Sequence, residues 1–329
     1  MPSLIRSPSP QDWLNLRKTG IGGSDIAAIC GHNKYKGAYD IWLQKTGLAT
    51  EDQEQSQAAY FGSLLEETVA KEFQRRTGFK VQRINGTIID GIRIANVDRF
   101  IVNPAIARNV RWFNGAVTTD TLLECKTAGA YTSGRWGESQ ENLILKGLPC
   151  PPAQMPLEYL CQVQWYLGIT GCQTAYLAVL IGGQDFRIYR IERDQDAIDW
   201  LFEKADQFWV ANVMAEQPPE PTNAAEANAI WNKDNGSTIE ADNATAAAYG
   251  DLITLKAQKK QIEEQIEEKE TILKLHMREN QVLTINGDKA ATWKTSERAT
   301  LDTKALRADL PDIAEKYTRK TSTRTLRTY

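Results

Sequence analysis

An α/β domain followed by a helical extension is the architecture this sequence predicts, and three observations carry that expectation. Helical periodicity alternates with short extended runs over most of the first two hundred residues. The extended runs are rich in β-branched side chains and are punctuated by Asn-Gly and Gly-Gly turns. Composition shifts once, at Gln217-Pro218-Pro219-Glu220-Pro221, immediately after a strongly amphipathic helix pattern (Ile198, Leu201, Phe202, Ala205, Phe208, Trp209). Interleaved helices and strands argue for a layered α/β unit. The 329 residues, 42% hydrophobic and 25% charged, suffice for one large or two medium domains and exclude collagen, wholesale disorder and small disulfide scaffolds.

Taken in order, a helix is expected from Ser24, read as its N-cap, through Ile29. A second runs around Tyr39 to Lys45 and stops at Gly47, and a third runs from Gly62 to Arg76 and stops at Gly78. Phe79 to Ile84 and Thr87 to Ile89 read as strands of a hairpin turned at Asn85-Gly86, followed by extended runs over Ile92 to Ile101 and Val117 to Lys126. A helix over Leu157 to Ile169 precedes strands at Thr174 to Ile181 and Asp185 to Ile191, joined by Gly182-Gly183. We divide the chain into a first domain (1–217), a Pro-rich linker (218–224) and a C-terminal extension (225–329). The extension holds a long helix over about Ala244 to Asn280 with a ragged heptad, a hairpin at Asn286-Gly287, two short helices and a basic tail from Lys316 to Tyr329.

Lys and Arg total 39 against 42 Asp and Glu, a net charge of −3, so bulk charge gives no reason to expect a polyanionic partner. The five scattered cysteines include no CxxC pair, which suits reduced thiols in a cytoplasmic compartment. Neither an apolar leader nor a membrane span is read in the chain, and no membrane partner is expected.

The chemistry-bearing constellation is Asp98 with Glu124-Cys125-Lys126. Residues two apart in a strand share a face, so Glu124 and Lys126 project together at the end of the apolar pair Leu122-Leu123. Pairing this strand with the run ending at Asp98 would bring both carboxylates to one sheet edge, where a cation is needed to hold them ionised. With two histidines and no cysteine cluster, the donors are hard oxygens, which select Mg²⁺ or Mn²⁺. Such ions beside a lysine serve in-line phosphodiester hydrolysis. Glu267-Glu268-Lys269 repeats the spacing, but in a charged helix with no upstream acid on a strand, where solvated charges are the expectation.

Five blocks of the chain, in order, resemble the YqaJ-type viral recombinase nucleases, kin of the lambda-type alkaline exonuclease in the PD-(D/E)xK superfamily. They are Arg17-Lys-Thr-Gly-Ile-Gly-Gly-Ser24-Asp25 with Tyr39-Asp-Ile-Trp42-Leu-Gln-Lys-Thr-Gly47; Tyr60-Phe-Gly62-Ser-Leu-Leu-Glu66; Asn96-Val-Asp98; Leu123-Glu124-Cys-Lys126; and Gln162-Val-Gln164-Trp-Tyr-Leu. The resemblance implies a restriction-endonuclease-like core with a central mixed sheet flanked by helices. It implies that Glu66, Asp98 and Glu124 bind metal with the Cys125 backbone carbonyl, that Lys126 is the catalytic lysine, and that Gln162 lies near it. Arg17 and Ser24 match positions holding the 5′-phosphate of a DNA end, a role that suits a guanidinium and a helix start.

The activity implied is Mg²⁺-dependent exonucleolysis of duplex DNA from an end, 5′ to 3′, releasing mononucleotides and leaving 3′ overhangs for recombination. A ring-shaped homotrimer, a single-strand annealing protein as partner and a phage or prophage source are implied by the resemblance alone. A structure-selective or site-specific endonuclease of the same superfamily is an alternative, and a catalytically inactive DNA-binding or assembly module another. Four clustered cysteines, which would have suggested Cas4-like relatives, are absent. The sequence departs from the family at Glu67, Lys34 and Ala38, where prolines are common; Glu67 is expected to be solvated. His32 and His276 stand alone, and Cys30, Cys161 and Cys172 are expected to be buried. Trp112 and Trp136, in polar loops, are candidates for stacking on bases, with Arg108, Arg111 and Arg135 near them as phosphate contacts.

Overall fold

The computed structural model describes residues 1–6, 9–49, 57–319 and 324–328. Part of the basic tail, residues 320–323 and Tyr329, therefore lies outside the described residues. Two compact units form, Met1–Ile230 and Trp231–Tyr329, so residues 218–230 stay with the first unit.

The first unit opens with β1 (Ser3–Ile5), α1 (Pro10–Lys18), β2 (Ile21–Gly22), α2 (Gly23–Ile29), α3 (Ala38–Thr46) and the long α4 (Gln57–Thr77). Six short strands follow: β3 (Val81–Gln82), β4 (Thr87–Asp90), β5 (Arg93–Ala95), β6 (Arg99–Ile101), β7 (Trp112–Phe113) and β8 (Ala116–Val117). Next come β9 (Thr121–Ala128), α5 (Glu141–Leu145), α6 (Leu157–Thr170), β10 (Thr174–Ile181) and β11 (Asp185–Glu192). The unit closes with α7 (Gln195–Phe208), which runs on as a π-helical turn over Trp209–Met214, and α8 (Ala224–Ile230). The helix α1 went unread in the sequence although its signal is there. Ser9 and Asp12 form a capping box, the Ser9 Oγ accepting the Asp12 N–H at 3.2 Å, with Pro10 at the first helical position.

The central sheet is mixed, in the order β11-β10-β9-β6-β3, with β9 and β10 parallel and the other neighbours antiparallel. This is the α/β core with helices on its faces that the sequence predicts. Side chains of β9 alternate between two apolar clusters. Leu122 joins the one built around α6 and Trp165, while Leu123 and Cys125 join the one under α4 with Val69, Ala70 and Phe73. The sheet is thus covered by α6 on one face and α4 on the other. A second, four-stranded sheet, β1-β4-β5-β2, borders α6, and the indole Nε1 of Trp165 donates to the Ile94 carbonyl at 3.1 Å.

Two expectations about these strands are corrected. Residues 79–84 and 87–89 do not form a hairpin, because β3 pairs with β6 and β4 pairs with β1 and β5. A two-residue type I′ turn needs positive φ at both central residues, and of Asn85-Gly86 only Gly86 has it, at 143°. The run Ile92 to Ile101 is likewise two strands in two sheets, broken at Asn96-Val97-Asp98. By contrast Gly182-Gly183, with φ of 60° and 77°, turns the β10–β11 hairpin as expected.

In the second unit α9 (Asn243–Met277) starts at an Asp242 cap, and β12 (Val282–Ile285) and β13 (Asp288–Thr292) pair across Asn286-Gly287, both at positive φ. Two short helices, α10 (Thr303–Asp309) and α11 (Pro311–Lys316), follow.

Candidate active site

The alternation of β9 sends Leu122, Glu124 and Lys126 to the α6 face, and α6 answers with Gln162. One Glu124 oxygen, Oε1, accepts from Lys126 Nζ at 2.6 Å and from Gln162 Nε2 at 2.7 Å. The same amide nitrogen is 3.0 Å from the Tyr166 hydroxyl, one turn further along α6. Asp98 sits just ahead of β6, whose antiparallel register pairs Arg99 with Leu123, so it falls beside Glu124 in the middle of β9. Its Oδ2 accepts the Cys125 N–H at 2.8 Å. A strand residue's N–H and C=O point toward the same neighbour, so the Cys125 carbonyl faces the Asp98 side as well. The Tyr159 ring lies 5.3 Å from Lys126 Nζ and itself stacks on Trp136.

Burial and charge oppose one another in this cluster. Glu124 is 1% exposed, and burial, reinforced by the Asp98 carboxylate, pushes its pKa up to about 8. Burial also raises Asp98, with Glu66 adding to the rise and the Lys126 ammonium opposing it. Burial by itself would lower Lys126, but Glu124 and Asp98 lift it above the usual lysine range. The second Glu124 oxygen, Oε2, is buried and has no hydrogen-bond partner among the described residues. An orphaned carboxylate oxygen beside a second acid is a place a divalent cation would satisfy, and the hard-oxygen donors present fit Mg²⁺ or Mn²⁺.

The third acid stands differently. Arg99 pairs in register with Leu123 and so points to the α4 face, where its Nη1 is 2.6 Å from Glu66 Oε1 and its Nη2 is 2.6 Å from Glu67 Oε2. Glu66 therefore acts on Asp98 and Glu124 through its charge while its oxygen is held by a buried guanidinium. Among the described residues no three His, Cys, Asp or Glu side chains are gathered as a metal cage. Glu67 is exposed, as expected, but it is paired with Arg99 rather than free in solvent.

A cleft of about 150 Å³ adjoins the cluster, lined by Arg17, Ser24, Asp25 and Lys45 and, from α6, by Gln162 and Tyr166. Arg17 and Ser24 thus line one cleft with Gln162, the glutamine bonded to Glu124. Ser24 is not the cap of α2, which is a correction. Gly22 holds that position, its N–H donating to Asp25 Oδ2 at 3.0 Å, and Ser24 lies exposed in the first turn. Gly23, just ahead of Ser24, is required by packing, since a Cβ there would come within 2.5 Å of the Tyr166 ring. Trp136 is also reassigned: it is buried between Tyr159 and Tyr189, and its neighbour Arg135 is bonded to Glu158 at 2.8 Å.

Sequence reasoning missed Asp25 and Lys45, a buried ion pair at 2.6 Å in which Arg17 also joins, its Nη2 3.2 Å from Asp25 Oδ1. The signal was legible, because Lys45 is one turn from Ile41 on the buried face of α3. Lys45→Met leaves a buried carboxylate short of its nearest cation. We expect it to lower unfolding free energy in urea by about 3 kcal/mol, with Asp25→Asn in the same chain restoring part of the loss. A midpoint equal to that of the parent would overturn this account of the pair.

A mixed sheet that sets a lysine and two converging carboxylates against a helical glutamine defines an α/β protein with an acidic, lysine-bearing site on its parallel strand pair. A family model for the YqaJ-like viral recombinase domain matches residues 12–173. The uncharacterized protein YqaJ of Bacillus subtilis (strain 168) is 35% identical over 323 residues, covering 95% of this chain and 92% of the relative. The chain belongs to the YqaJ-like viral recombinase family. Among solved structures it is distantly similar to an alkaline exonuclease, LHK-Exo, from Laribacter hongkongensis, at TM-score 0.43 and 21% identity over 63% of this chain and 93% of that one. A phage-related exonuclease from Haemophilus somnus 129PT is similar at TM-score 0.40 and 14% identity over 62% of this chain and 99% of that one.

Proposed function

We propose that this protein is a DNA nuclease: an Mg²⁺-dependent exonuclease, served also by Mn²⁺, that degrades linear duplex DNA 5′ to 3′ and leaves 3′ single-stranded overhangs. The observation that carries this reading is the buried, unpartnered Glu124 Oε2 beside Asp98, with Lys126 locked on the other oxygen of the same carboxylate. Family membership supports DNA as the substrate.

When bound, one or two divalent ions would polarise the scissile phosphate and acidify water. The protein's own groups do the rest. Glu124 and Asp98 supply anionic oxygens, with the Cys125 carbonyl on the same edge. Gln162 fixes the Glu124 rotamer through its 2.7 Å bond, and Tyr166 braces Gln162. Lys126, raised above the usual lysine range, stays an ammonium at neutral pH. Held 2.6 Å from Glu124 Oε1, it would orient the attacking water and offset charge building on the phosphate. Glu66 would join the acids by exchanging Arg99 for the cation, a swap that Glu67 makes cheaper by keeping Arg99 paired. Arg17 and Ser24 would receive the terminal 5′-phosphate, Arg17 through its guanidinium and Ser24 through its hydroxyl.

Released mononucleotides, a homotrimer encircling DNA, hand-over of the overhang to a single-strand annealing protein and a cytoplasmic site of action complete the proposal. No helix of the described residues is long and apolar enough to cross a membrane. The decisive experiment digests linear duplex bearing 5′-phosphate or 5′-hydroxyl ends, and a covalently closed circle, with Mg²⁺ while following each strand. Shortening of the 5′-phosphorylated strand with the circle untouched is expected. Cutting of the circle would favour the endonuclease alternative, and inert DNA in every arm would sink the nuclease reading.

A further inference from the structure

A cleft of about 500 Å³ lies between β1, the segment joining β3 to β4, and β7, and it is bordered by Arg6, Arg83, Arg111 and Trp112. None of its lining residues among the described residues is acidic. Arg6 and Arg111 are exposed, and neither belongs to an ion pair among the described residues. Arg83 has a loose one, its Nη1 3.9 Å from Glu66 Oε1. Three guanidinium groups around one concavity repel each other unless an anion lies among them. Their planar forks match phosphate oxygens.

Trp112 narrows the ligand class. It is half-buried, packed on the core along part of its surface, and contributes to the lining of the cleft. An indole beside arginines is the pairing that holds unstacked bases and their backbone, whereas a duplex keeps its base faces covered and an inorganic anion has no face to offer. The contact between Arg83 and Glu66, at 3.9 Å, places one edge of this cleft beside one of the acids of the candidate active site.

We propose that this cleft binds single-stranded DNA, with the arginines on its phosphodiesters and Trp112 under a base, so that the strand left unpaired beside the active site runs into it. The inference rests on the reading of the protein as a DNA nuclease and adds a subsite that the metal cluster and the Arg17 cleft do not contain.

The test measures binding by the full chain in EDTA, so that DNA is not consumed, using fluorescence anisotropy. One probe is a labelled 5′-phosphorylated duplex with a 3′ oligothymidine tail, and the other is the same duplex with a blunt end. The parent should bind the tailed duplex more tightly than the blunt one. Trp112→Ala combined with Arg111→Ala should weaken tailed binding about 10-fold or more while moving blunt binding little. Arg6→Ala with Arg111→Ala, both at exposed positions, serves as the variant safe for folding. It should lower the slope of log affinity against log salt by about 0.7 per arginine for the tail.

Equal tailed affinity in parent and variants overturns the proposal, as does a parent that ignores the tail or a loss shared equally by both probes. If the parent degrades DNA and the variants bind the tail unchanged, this inference falls and the nuclease reading stands. If tail binding depends on the cleft but the parent cleaves nothing, the nuclease reading falls alone.

Discussion

Lys126→Met should reduce DNA cleavage by about 10³-fold or more while duplex binding in EDTA stays within a few-fold of the parent. The substitution keeps a long side chain beside the Tyr159 ring and removes the ammonium that sits 2.6 Å from Glu124 Oε1. Two effects separate in this variant. The chemical step loses the charged donor aimed at the phosphate. Metal binding loses a competitor for Glu124, so the melting temperature should still rise with Mn²⁺, by at least as much as in the parent. Cleavage within tenfold of the parent would remove Lys126 from the mechanism, and loss of the Mn²⁺ response would mean that it organises the carboxylates instead.

Asp98→Asn carries the second large effect. The amide oxygen can go on accepting the Cys125 N–H, now made at 2.8 Å, so the strand end keeps its anchor. The negative charge that helps push Glu124 up to about 8 is removed, and with it a repulsion between two buried acids. Without metal, the variant should therefore melt at or above the temperature of the parent. With metal the order should reverse. A ligand present at 100 times its Kd stabilises by about 2.7 kcal/mol, and the variant should forfeit most of that along with about 10³-fold in cleavage. An unchanged Mn²⁺-induced shift would exclude Asp98 as a ligand, and a markedly lower metal-free melting temperature would show that its role is structural.

Both predictions turn on side chains whose facing was legible in the sequence. The period of two along β9 places Glu124 with Lys126 and opposite Cys125, and the Gly182-Gly183 turn announces the hairpin beside it. The glutamine of α6 and the glycine-rich entry to α2 were legible as blocks of the family pattern. Other features misled because a local signal was outbid by distant partners. Asn85-Gly86 reads as a hairpin turn, but the N-terminal strand β1 claims β4, and β6 claims β3. Ser24 reads as a cap, but the Asp25 carboxylate folds back onto the Gly22 N–H and moves the helix start upstream. Trp136 reads as exposed in a polar loop, yet two tyrosines from α6 and β11 close over it.

Residue types and short-range spacing were enough to set Glu124 and Lys126 on one face of a strand beside Asp98, because strand alternation is a local property. The near-neutral net charge was equally plain, and it now reads as two local cationic surfaces, at Arg17 and at the Arg6–Arg83–Arg111 cleft, within an otherwise balanced chain. Only the tertiary structure decided that Glu66 approaches from the α4 face in the grip of Arg99, that Lys45 is sunk against Asp25, and that one oxygen of Glu124 is sealed from water without a partner. Those facts depend on which strands pair and which helix covers which face. They are set by contacts between residues tens of positions apart, which no periodicity encodes.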